Sequence, residues 1–239
     1  IPQPRHLPNL SSVNPIEKIG TQMEITADHL KIGGLLSGLV MFQVILLTLM
    51  GSNNSAREIA GERLLFEKEK FAGLHVSSYI ASKIFFLMIL VAIQSVWMGI
   101  FVEFLIPSLP GELMGRLMIL ILVNAAMTSV CLGISGIMRT PEQSSLLSIY
   151  LVGFQLPLSG AVLALPQWLE PLTRTFISAY WGWSGNLDLM KDVKFSQAIN
   201  VITEDTSILA SGFCLTVLSL HITAGLVAAY IGAKRHRWH

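Results

Sequence analysis

SAREIAGERLLFEKEKFAGL, residues 55–74, decides how this chain is read. Eight of the fourteen residues from Arg57 to Lys70 are charged, although the 239-residue chain as a whole is only 13% charged. This short piece holds more than a quarter of the 16 basic and 15 acidic residues in the chain. Long apolar runs flank it on both sides. A helix this dense in charge, set between two such runs, must lie in water beside a membrane, where something in the water can touch it.

Working outward, Ile32 to Ala56 contains no charge. At 1.5 Å per helical residue, such a run crosses the roughly 30 Å of hydrocarbon in a bilayer. The apolar centre, 32–50, ends at GSNNS (51–55). Further spans are expected at 80–102, 117–138, 143–165 and 207–233, with Lys83 in the first turn of the second, able to snorkel to the interface. Residues 1–31 are polar and carry Pro2, Pro4, Pro8 and Pro15, which predicts an extended or irregular extracytoplasmic segment with a short interfacial helix at 21–30. The stretch 166–206 is apolar enough to form short helices dipping into the outer leaflet, and Trp168, Trp181, Trp183 and Trp238 take interfacial belt positions. A soluble domain carries about 25% charged residues, twice the value here, and mean hydropathy is +0.62. The expectation is an all-α polytopic membrane protein with five transmembrane helices and a charged helix at 55–72. A net charge of +1 gives no reason to expect a nucleic-acid partner.

Orientation follows from Lys and Arg in the short loops. If the spans alternate, 51–79, 139–142 and 234–239 share one side and hold eight Lys and Arg residues; 103–116 and 166–206 share the other and hold four. The first set is expected in the cytoplasm, with the C-terminus. The first span then runs from outside to inside, which predicts a preceding transmembrane helix, six in all.

The spans are poor in chemistry. They contain no HExxH, no GxSxG, no paired acids and no phosphate-binding loop. Cys131 and Cys214 lie in apolar runs and read as buried free thiols. His221 stands alone, and a hydrogen bond to a neighbouring helix is its expected use. These features argue against an enzyme and against an ion-coupled carrier, which would need buried charges. Gln43, Thr48, Gln94, Asn124, Thr128, Ser129, Ser145, Ser148, Gln155 and Ser159 are polar and uncharged, and interhelical hydrogen bonding accounts for most of them. Gln155 and Ser159 lie four apart on one face around Pro157, where the helix can kink and line a pathway or hinge.

The order of parts resembles a known family. Arg57-Glu58-Ile59, Glu62-Arg63, Phe66, Glu67, Glu69, Gly73, Tyr79 and Ser82-Lys83 are similar to the pattern of type-2 ABC exporter permeases, in the G-type (White-like) branch and its bacterial relatives. Gly136-Ile-Met-Arg-Thr-Pro-Glu-Gln143 resembles that family's turn between helices four and five, and Gln155 to Trp181 its helix-five end and re-entrant extracytoplasmic element. Together these matches cover 32–233, as helices two to six of a six-helix domain (32–239); the family's first helix and the fused ATPase of the G-type branch have no counterpart here.

The resemblance implies a permease in a bacterial inner (plasma) membrane, in contact with membrane lipids and working as a dimer. It also implies an ABC ATPase partner that carries ATP and magnesium, with no cofactor in this chain. Coupling is expected through Arg57, Glu58, Glu62, Arg63, Glu67, Glu69 and Lys70, so that charge reversal at Glu62 or Arg63 uncouples transport with the fold intact. The (i, i+4) pair Arg63–Glu67 and the pair Glu67–Lys70 are within reach but worth only a few tenths of a kcal/mol. The pathway would lie between 32–50 and 143–165, with Gln43, Thr48, Ser148, Gln155, Pro157 and Ser159 as candidates. Its lack of charge favours a lipid-like, amphipathic or neutral glycan cargo. The alternative is a membrane scaffold or force-transmitting subunit that moves nothing.

Overall fold

The structure, a computed structural model, describes residues 15–107, 109–159, 170–191, 196–202 and 206–235. The described residues form helices α1 (Pro15–Ser55), α2 (Arg63–Phe71), α3 (Val76–Leu105), α4 (Leu113–Ile137), α5 (Pro141–Leu158), α6 (Glu170–Phe176), α7 (Ser178–Leu189), α8 (Ser196–Ile202) and α9 (Ser211–Arg235). The chain is an all-α polytopic membrane protein. α1 from Ile19, α3, α4 and α9 are each long and apolar enough to cross a membrane. The fifth expected span, 143–165, corresponds to α5, which has 18 residues and a polar first turn; 160–169, including Leu165, lie outside the described residues.

α1 departs from the expected irregular N-terminal segment. It is one continuous helix of 41 residues starting at Pro15, about 60 Å long and so twice the hydrocarbon thickness. Proline suits a first helical position because its missing N–H has no partner there anyway. Ile25, His29, Ile32, Leu36, Val40, Val44 and Leu47 are buried at three- and four-residue spacing, so a single stripe runs along the helix. α1 packs on α8, and from Ile32 onward the stripe belongs to the main core with Ala198 and Ile199. The part of the expected extracytoplasmic loop before Pro15 lies outside the described residues.

α4 is the central helix, packed against α1, α3, α5, α7 and α9. Its closest neighbour is α9. A Cβ on Gly225 would lie 2.4 Å from the backbone carbon of Ser129, and one on Gly232 would lie 2.5 Å from that of Gly136. Inside a membrane, lipid tails are as apolar as leucine, so helices gain by close backbone approach and van der Waals contact rather than by leaving water. At the far end of the α3–α4 hairpin, the Arg116 guanidinium pairs with the Glu103 carboxylate.

α7 corrects the expectation of an interfacial belt. Ser178 to Leu187 are all buried, and the helix sits among α1, α4 and α9. Trp183 is 1% exposed, with its indole N–H donating to Ser37 Oγ at 3.0 Å. Trp181 donates to the Arg174 carbonyl at 2.7 Å. Trp168 and Trp238 fall outside the described residues. His221 reaches the Thr175 carbonyl of α6 through Nε2 at 2.9 Å, a contact to a neighbouring helix as expected, and Cys131 and Cys214 are buried free thiols.

The α4–α9 contact yields a prediction. Gly225→Leu should destabilise the protein by about 2–3 kcal/mol or prevent folding, because the colliding atoms are backbone. Gly212→Ala at the start of α9, where a Cβ meets nothing within 4 Å, should leave the melting temperature in detergent unchanged. Equal melting temperatures for the two variants would contradict this packing.

Candidate functional site

The charged stretch is not one helix over 55–72. Ala56 to Glu62 form turns, and the helix begins at Arg63. The reason is a set of bonds to distant residues. The hydroxyl of Ser135, in the last turn of α4, accepts the backbone N–H of both Ile59 and Ala60 at 3.0 Å. The Ser144 hydroxyl donates to the Ala56 carbonyl. α2 then ends at Gly73, whose φ of +106° lets the Leu74 N–H turn back onto the Glu69 carbonyl at 3.0 Å.

Two of the seven expected coupling residues, Arg63 and Glu67, are turned inward. Arg63 is 6% exposed. Its Nη2 donates to the carbonyls of Ser135 at 3.2 Å and Gly136 at 2.8 Å. A guanidinium there satisfies two of the carbonyls that a helix end leaves unpaired and faces the negative end of the helix dipole. Burial lowers the Arg63 pKa from its ordinary value, and Glu67 pulls in the opposite direction; the group stays cationic. Glu58 and Glu62 flank Lys83, at 2.8 and 2.7 Å from its Nζ. Lys83 therefore joins the turn to α3 and does not simply snorkel. Phe66 stacks on Tyr79 with ring centres 4.2 Å apart, and Glu67 is buried.

Arg63 is thus a structural residue, and its charge reversal should damage the fold, contrary to the expectation of uncoupling with the fold intact. Arg57, Glu62 and Glu69 remain exposed, Glu58 and Lys70 partly so. The sequence reading missed the apolar residues of α2. Leu64 is 69% exposed and Phe71 91%; with Lys68 they fall at i, i+4 and i+7 and form one outward stripe, with Leu65 beside it. The signal was present as apolar residues out of phase with Phe66.

The expected pathway residues do not converge. Gln43 is buried beside Gly99 and Arg116, toward α3 and α4. The Thr48 hydroxyl bonds back to the Ile45 carbonyl. Gln155 Oε1 accepts the Ala179 N–H at 2.9 Å and the Ser178 hydroxyl at 3.3 Å, so it caps the start of α7. Pro157 lies in the last turn of α5 and ends the helix where a kink was expected; Ser159 bonds to the Leu156 carbonyl there. Ser148 alone lines a groove, of about 600 Å³, between α1 and α5. Arg57 stands in the same groove, its Nε donating to Ser145 Oγ. Arg57 therefore gives this groove a positive charge. Deeper in the bundle, the Asn124 amide donates to Ser95 Oγ at 3.2 Å and Asn54 to Gln94 at 3.1 Å, the interhelical role expected of such residues.

Ser135 is the residue on which the turn hangs. Ser135→Ala leaves two N–H groups without their acceptor and should cost about 2 kcal/mol, read as a lower melting temperature. Arg63→Glu places a carboxylate against helix carbonyls and should give little folded protein, whereas Glu69→Lys should fold normally. A well-folded Arg63→Glu variant would contradict the assigned contacts.

The bundle, the turn welded to α4 and the outward α2 face agree with one comparison. Residues 12–181 match the model of the ABC-2 type transporter, from just before α1 into α7. A search of curated proteins finds no match. Proteins of this family normally work with an ATP-binding subunit. With most of its length matched, this integral membrane chain belongs to the ABC-2 type transporter family and is a permease component of an ABC transporter.

Proposed function

We propose that the chain is the membrane half of an ATP-driven exporter and that an ATPase docks on the exposed face of α2. The observation that supports this reading is a combination of exposure and rigidity. Leu64, Leu65 and Phe71 expose large apolar surface in a segment that must lie in water, and the same segment is tied to α3 through Lys83, to α4 through Ser135 and to α5 through Ser144 and Ser145. A push on α2 is therefore felt by three helices at once. Exposed aromatic and aliphatic anchors beside charges are what a protein interface needs.

On this reading the α2 end faces the cytoplasm of a bacterial cell, since the basic loops gather there. The chain is not itself an enzyme; ATP and magnesium belong to the partner. Two copies form the working unit, and cargo passes along the α1–α5 groove.

Phe71→Asp and Leu64→Asp should each weaken association with the ATPase by roughly tenfold or more and reduce ATP-dependent transport in proteoliposomes. Both side chains are exposed, so the melting temperature should not change. Unchanged association and transport in both variants would remove α2 as the docking face.

A further inference from the structure

We infer that the cleft between α3, α4 and α9 holds one acyl chain of an anionic phospholipid whose phosphate is met by Lys234 and Arg235 at the end of α9. The residues that line the cleft come from these three helices and none from α1 or α5, so the site is separate from the proposed cargo groove and does not rest on that reading.

The cleft has a volume of about 240 Å³, and its walls include Met88, Ala92, Leu122, Ala125, Ile222 and Leu226. Met88 and Ala92 are exposed, so it opens sideways between two spans. Toward the α2 end it is closed by a buried cluster that includes Ile80 of α3 and Ala229 and Ala233 of α9. Among the described residues, Thr128 and Ser129 are the only polar ones that line it. A space this apolar, open at mid-span, faces hydrocarbon and not water. Its volume is below the roughly 300–1,000 Å³ of a pocket that encloses a drug-sized ligand, so it fits a chain and not a whole lipid.

α9 connects the cleft to a charge. Ile222, Leu226, Tyr230 and Lys234 are spaced by four and form one ridge along the helix. Tyr230 is 40% exposed and Lys234 is exposed, so the ridge is an uncovered track from the cleft to the end of the span. At 1.5 Å per residue, the wall at Leu226 and Ile222 lies about 12–18 Å from Lys234. The hydrocarbon of one leaflet is about 15 Å deep, half of the bilayer's 30 Å. A phospholipid with its phosphate at Lys234 therefore brings the end of a chain to the depth of the cleft. Lys234 and Arg235 occupy the last turn of α9, and among the described residues no carboxylate lies within ion-pair distance of either. The helix dipole favours cations in a last turn; with no carboxylate beside them, their charge is left to an anion at the membrane surface. A zwitterionic head carries its own cation and gains less from them. An inorganic anion would leave the cleft unused, and an alkane would leave the cations unused.

The test uses the whole chain in phosphatidylcholine nanodiscs, with its ATPase where the two co-purify. The probe is phosphatidylglycerol with a diazirine at the end of one acyl chain, added as a minor component, and labelled peptides are read by mass spectrometry. Saturable labelling is expected on α3 around Met88–Ala92 and on α9 around Ile222–Leu226. Unlabelled phosphatidylglycerol should compete; added phosphatidylcholine, hexadecane and inorganic phosphate should not. Lys234→Gln combined with Arg235→Gln should weaken labelling by roughly tenfold or more, whereas Lys234→Arg combined with Arg235→Lys should retain it. Ala92→Trp, at an exposed position in the mouth of the cleft, should abolish labelling at an unchanged melting temperature. Equal competition by phosphatidylcholine would reduce the contact to ordinary bilayer solvent and overturn the proposal. Labelling that survives Ala92→Trp, labelling indifferent to the loss of both cations, or competition by inorganic phosphate would each overturn it as well. So would cross-linking of Ala92→Cys to a second copy with no probe entry, which would make the cleft a subunit contact. Labelling needs neither ATP nor α2, so its failure is separable from failure of the α2 docking reading.

Discussion

The end of a buried helix is expensive to leave open, and the last turn of α4 is the clearest case in this chain. Its carbonyls lie beneath the bundle surface at the α2 end, away from water. Arg63 takes two of them, and the Ser135 hydroxyl in the same turn accepts two backbone N–H groups from the preceding segment. The residues that close α4 are thus supplied by the connection between α1 and α3. Removing that connection would expose unpaired groups on both sides, so the turn and the central helix stand or fall together.

The same logic governs the bundle interior. Helices in lipid gain nothing by hiding leucine from leucine, so α4 meets α9 through glycine at near backbone contact. α3 has no comparable partner on its outward side and presents Phe85, Ile93, Trp97 and Phe104 to the surroundings. α7, short and rich in small residues, fills the space among α1, α4 and α9 at the opposite end from α2. Gln155 supplies the acceptor for the Ala179 N–H in its first turn. The polar side chains of the spans therefore satisfy helix ends and join neighbouring helices.

Much of this was legible in the sequence. Runs of uncharged residues located α3, α4 and α9 to within a few residues, since the bilayer imposes a minimum apolar length that any helix must meet by itself. The polar network of Asn124 and Gln94 was expected on the same ground. The start of α1 was misread, because three prolines before it and one at its first position suggested irregular chain, while α1 packs on α8, far along the sequence. Trp183 was misread for a similar reason: an aromatic residue at an expected span end looks interfacial until its helix is found inside the bundle.

By itself the sequence determined that the chain enters a membrane as helices and that one dense charged segment between two of them stays in water. Both follow from local composition, since hydrocarbon excludes charge wherever it occurs. Only the tertiary structure decided what that segment does with its charges. Ile59, Ala60 and Arg63 find their partners between 72 and 76 residues away, and no local rule specifies such a pairing. Those contacts turn Arg63 and Glu67 inward, leave Leu64 and Phe71 outward, and direct Arg57 into the groove beside α5. Charge density placed the segment beside the membrane, and long-range hydrogen bonding chose which of its faces remain free to act.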